Sequence, residues 1–83
     1  MTTTKLELGH HIWFVVHHDG GVINGLEEHD WREGGGLRLP PNMTWEQLFL
    51  RNVANRCTEG HVSPYYAAAV QLIEQIKQQS TGE

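Results

Sequence analysis

His10-His11-Ile12-Trp13-Phe14-Val15-Val16-His17-His18, followed directly by Asp19-Gly20-Gly21, is the stretch that decides the fold. The run from His11 to His18 is dense in β-branched and aromatic residues, which suit a pleated, half-buried surface. Asp19-Gly20-Gly21 supplies the positive φ angles that a tight hairpin turn needs. The stretch therefore predicts a strand entering a hairpin, with a return strand from Val22 to about Glu28. In an extended chain Ile12, Phe14 and Val16 share one face, while Trp13 and Val15 share the other. Both faces are apolar, so one packs on the rest of the chain and the other needs a second cover. A self-partner, a target protein, the N-terminal strand or the 31–39 segment could supply it.

Outward from the hairpin, Leu6-Glu7-Leu8 alternates apolar and polar and predicts a strand start, with Gly9 as a bend or bulge. Residues 1–4 are expected to fray. Arg32-Glu33-Gly34-Gly35-Gly36 reads as a flexible loop, because three glycines lose much backbone entropy on ordering and bring no side chains to offset it. Leu37-Arg38-Leu39 is a short third strand on this reading, stopped by Pro40-Pro41.

Two helices follow. Thr44 with Gln47 three residues on makes a capping box, and Met43 with Leu48 a hydrophobic staple. Trp45, Leu48, Phe49, Val53 and Cys57 lie broadly on one helical face, and Gly60 ends the helix. Ser63-Pro64 opens the second helix as cap and first-turn proline. Tyr66, Ala69, Val70, Ile73 and Ile76 form its apolar stripe, Leu72 widens it, and residues 80–83 fray. Strands followed by helices give an α+β fold: an N-terminal antiparallel β-hairpin or three-stranded sheet packed against two C-terminal helices, in a single domain over residues 1–83.

Composition limits the function classes. A chain of 83 residues buries a small core, so self-association is a reasonable expectation. One cysteine allows no internal disulfide and fits a reducing compartment. The longest apolar run, Ile12 to Val16, is far too short for a membrane span, and no signal peptide is read, so a cytoplasmic location is expected. The net charge of −4 lacks the basic footprint of a nucleic-acid binder. A helix-pair DNA reader is therefore a rival only; its second helix would bring a single cation, Lys77.

Histidines suggest metal, and four of the six lie between His10 and His18. His11 and His17 are six residues apart, roughly 20 Å along a strand, and cannot share an ion. A site must be built across strands, and the turn decides which residues meet. A two-residue turn at Asp19-Gly20 places His10 opposite His29. A three-residue turn places His11 opposite His29 and His10 opposite Asp30. A turn at Gly20-Gly21 sets His11 against Asp30 and Ile12 against His29. His10, His11 and His29, with Asp30 nearby, are the candidate ligands for a transition metal. Histidines serving as polar strand ends are the competing reading, under which no cofactor is expected. Six histidines in so short a chain also suggest a proton switch on stability or association.

Catalytic signals are sparse. Ser63 is explained by capping, Cys57 has only Arg56 or His61 as neighbours in sequence, and Gly34-Gly35-Gly36 lacks the residues of a phosphate-cradling loop. No enzymatic activity is expected. The aromatic residues point to binding instead. The candidate partner surface is Trp13 and Val15 on the second sheet face, with Trp31 and the acidic stretch Glu27, Glu28, Asp30 and Glu33. Apolar anchors would dock there while carboxylates select a basic partner. The sequence thus suggests a small interaction module that binds another protein or a second copy of itself. A regulator or inhibitor of the phage or mobile-element kind has this general character. A histidine-based metal protein is the alternative.

Overall fold

In the computed structural model, residues 2–8, 11–56 and 64–79 are described. They form β1 (Thr2–Glu7), β2 (Trp13–Asp19), β3 (Val22–His29), β4 (Gly34–Gly36), α1 (Trp45–Asn55) and α2 (Pro64–Gln78). The four strands make one sheet in the order β1-β2-β3-β4, and every neighbouring pair is antiparallel. Both helices pack on one side of it, so the chain is α+β. α1 ends at Asn55 with Arg56 as its C-cap, a turn earlier than the expected stop at Gly60. Gly9, His10, Cys57, Gly60, His61, Ser63 and residues 80–83 lie outside the described residues, and with them the expected Ser63 cap and C-terminal fraying.

The β2–β3 turn has Gly20 at φ 57° and Gly21 at φ 87°, the signature of a two-residue I′ turn. Asp19 pairs with Val22 and His18 with Ile23. His17 then pairs with Gly25, so Asn24 is an extra residue on β3. This bulge slides the remaining ladder by one position and sets Trp13 opposite His29. None of the three sequence-derived registers survives it, although the Gly20-Gly21 turn holds at the tip.

Two expectations about ordered segments are corrected. Residues 2–4 belong to β1, paired with Val16, His17 and His18. The third strand expected at Leu37–Leu39 sits earlier, at Gly34–Gly36, where a flexible loop was expected. Glycine has no intrinsic taste for a strand, so the ladder along Glu27, Glu28 and His29 imposes the structure. Gly34 is also sterically required: a Cβ there would overlap the His29 ring and come within 2.9 Å of His29 Cα. Leu37 extends the contact through its N–H to the Leu26 carbonyl at 2.8 Å, and Leu37 and Leu39 pack on the core.

The core lies between sheet and helices. Phe14, Val16, Ile23 and Leu26 face inward against Leu48, Phe49 and Val53 of α1 and Ala69, Ile73 and Ile76 of α2. Phe14 meets Phe49 edge to face, with centroids 5.6 Å apart. The alternation read in β2 thus divides the strand as expected. His18 follows Val16 on the same face and is fully buried, its Nε2 joined to Thr4 Oγ1 at 2.9 Å. α1 begins with the expected capping box, Gln47 N–H donating to Thr44 Oγ1 and Thr44 N–H to Gln47 Oε1. Lys77 near the end of α2 pairs with Glu46 at the start of α1, at 3.0 Å.

Candidate functional site

The opposite face of the sheet carries the odd-numbered residues of β1 and β2 and, beyond the bulge, of β3. Trp13 and Val15 are half-buried there and point away from the cluster that the helices bury. Neither the N-terminal strand nor the 31–39 segment folds over them, because β1 and β4 pair at opposite sheet edges instead. Trp13 is flanked from both sides of β2. His29 of β3 stacks on it with centroids 5.3 Å apart and planes 10° from parallel. Lys5 Nζ of β1 lies 5.0 Å from the ring centroid and also pairs with Glu7 at 3.1 Å.

Beside this stack, Glu27 joins two imidazoles. Its Oε1 lies 2.8 Å from His29 Nε2, and its Oε2 lies 2.5 Å from His17 Nε2. Glu27 and His29 meet because residues two apart share a face of β3. His17 reaches the same carboxylate from the adjoining strand. The hydrogen bonds from His29, then His17, hold the Glu27 carboxyl below the ordinary glutamate range. An ionised carboxylate only accepts, so both rings carry hydrogen on Nε2. The arrangement orients two rings on one charge and keeps that charge on an otherwise partly apolar face.

Glu27 therefore links folding to acid. A carboxyl held low in the fold contributes stability above its unfolded value, near 4.5, and loses it as pH falls through the lower folded value. Asp30 acts in the same direction, held low mainly by the Glu33 and then the Arg32 backbone N–H. The melting temperature is expected to fall on acidification through this window, and less steeply in Glu27→Gln. Parallel curves for the two proteins would contradict the assignment.

The remaining acidic residues do not form one surface with Glu27. Glu28 points to the helix side of the sheet, where Arg56 holds it through both a guanidinium ion pair and an Nε–H bond of 2.6 Å. Asp30 shapes the β3–β4 turn, its Oδ1 accepting from Arg32 N–H at 2.7 Å and Glu33 N–H at 2.9 Å. Glu33 is exposed in that turn. Trp31 is 65% exposed there, with the Arg32 guanidinium 4.4 Å from its ring centroid. Glu33 lines a cleft with Glu28, Asp30 and Arg56, so the proposed acidic selector shrinks to Glu27.

His29 meets Trp13, Glu27 and Gly34 rather than His11, which is exposed at φ 61° beyond the end of the β2–β3 ladder. The expected meeting of His11 with His29 is therefore corrected; His10 lies outside the described residues. Among the described residues, no three His, Cys, Asp or Glu side chains are grouped so as to hold a metal ion. His17 was missed as a site residue, because its approach to Glu27 depends on the bulge. A shallow cleft of about 560 Å³ adjoins it, walled by His17, Gly25, Glu27, Gly36, Leu37 and Trp45.

Fold and site together define a four-stranded antiparallel sheet with helices on one side and an amphipathic, histidine-bearing face on the other. No known protein family, curated protein or solved structure matches the chain. Among the described residues no helix is long and apolar enough to cross a membrane.

Proposed function

We propose that this protein is a non-enzymatic interaction module, a cytoplasmic regulator or inhibitor that docks another protein on the uncovered sheet face. The observation that carries this reading is Trp13, held half-exposed beside Val15 by His29 and Lys5 on a face that neither helix covers. An aromatic ring already fixed by its neighbours loses little side-chain entropy on binding, which favours an anchor role. Glu27 adds a single oriented negative charge beside that anchor. The matching partner surface has an apolar centre next to an arginine or lysine, and arginine can stack on an aromatic ring while pairing with a carboxylate.

The test is comparative affinity capture followed by identification of the bound protein and measurement of its affinity. Trp13→Ala is expected to weaken that affinity by about 2 kcal/mol or more, the scale of a central aromatic anchor. Glu74→Ala, on the exposed side of α2, serves as the control and should bind normally. Far-ultraviolet circular dichroism verifies that both variants are folded. Equal binding by Trp13→Ala and the parent protein would overturn the proposal.

A further inference from the structure

We infer that β1 is a self-pairing edge, through which two copies of this chain join their sheets into one of eight strands. β1 lies at the end of the sheet and, among the described residues, has a strand on one side only. It is six residues long and threonine-rich, contains no proline, and continues the β2 ladder without a bulge. Such an edge offers a row of backbone donors and acceptors to another strand.

The groups on offer can be identified. Leu8 N–H donates to the Ile12 carbonyl at 2.8 Å, toward β2. Backbone direction alternates along a strand, so Leu6 and Thr4 also bond toward β2, while Thr3, Lys5 and Glu7 aim theirs at the open side. Antiparallel self-pairing keeps side chains on their own face only in registers where even residues meet even and odd meet odd. Centring the pair on Lys5 opposes two lysines. Centring it on Leu6 sets Lys5 opposite Glu7 of the second copy, twice by symmetry, and these are the residues whose backbone groups are free.

That register also brings the two Leu6 side chains together as a close, non-hydrogen-bonded pair. Leu6 is half-buried against the core, so the contact would extend the apolar layer across the junction. A lone lysine on an edge strand ordinarily blocks pairing. Here Glu7, two residues on and 3.1 Å from the Lys5 amine on the same face, lets two copies exchange this pair across the junction, which makes the same lysine a recognition element. The occupant is therefore a second copy, selected by reciprocal charge, and the junction leaves the Trp13 face open.

Sedimentation equilibrium over a wide concentration range tests this directly. The parent chain is expected to associate reversibly to a dimer. Lys5→Glu and Glu7→Lys each place like charges opposite one another and should weaken self-association by roughly tenfold or more. Mixing the two variants should restore a one-to-one heterodimer, because every opposed pair is again of opposite sign. The Lys5→Glu/Glu7→Lys double variant should dimerise like the parent. A parent chain that stays monomeric, or variants whose mixture associates no better than either alone, would overturn the inference.

Discussion

Truncating Phe14 to alanine is expected to remove between a quarter and all of the protein's folding stability. Phe14 has no solvent exposure and forms the edge-to-face contact with Phe49 that links β2 to α1. Removing a fully buried phenylalanine costs about 3–5 kcal/mol, the lost transfer energy plus the residual cavity. A domain of this length has about 4–12 kcal/mol of stability in all, so the loss takes about a quarter of it at best and all of it at worst. Chemical denaturation followed by far-ultraviolet circular dichroism gives the number. Trp13→Ala is the informative comparison, since its neighbour in sequence faces the other side of the same strand. A Phe14→Ala penalty no larger than that of Trp13→Ala would mean that the two faces of β2 have been assigned the wrong way round.

The second large effect is expected from one added methyl group. Gly34→Ala places a Cβ into the His29 ring and close to the β3 backbone, so either β4 detaches or His29 swings away. Overpacking of this kind costs about 1–3 kcal/mol. Movement of His29 also removes its stack on Trp13 and its bond to Glu27 Oε1, so one substitution at the sheet margin dismantles the candidate surface. Gly35→Ala is the control, because a Cβ at Gly35 meets nothing within 4 Å. Nuclear magnetic resonance reads the outcome, with the His29 ring protons expected to lose the ring-current shift from Trp13 in Gly34→Ala only. Unchanged His29 shifts in both variants, with the Gly34–Gly36 amide signals also unmoved, would show that the glycine strand tolerates side chains and that His29 is not held by it.

These two residues mark how far local reading reaches. Phe14 and Val16 were assignable to one face, opposite Trp13 and Val15, because alternation along one strand is a property of that strand alone. The Thr44–Gln47 box was legible for the same reason, its partners being three residues apart. Glu27 and His29 could have been paired from sequence as same-face neighbours on β3. His17 could not, since the Asn24 bulge decides which residue of β3 it meets. Gly34–Gly36 read as loop because glycine carries no signal of its own, and only the Glu27–His29 edge makes a strand of it.

The amino-acid order by itself determined the α+β class, a hairpin within Asp19-Gly20-Gly21, the helix start at Thr44, the division of β2 into a Phe14–Val16 face and a Trp13–Val15 face, and the apolar stripes holding Phe49 and Ile73. Each depends on residues within a few positions of one another, where sterics and periodicity act directly. Tertiary structure alone decided the ladder register, the fourth strand, the separation of Glu28 from Glu27 and the meeting of His17, Glu27 and His29. Those outcomes depend on which strand lies alongside which, and a single extra residue in one strand shifts every contact beyond it.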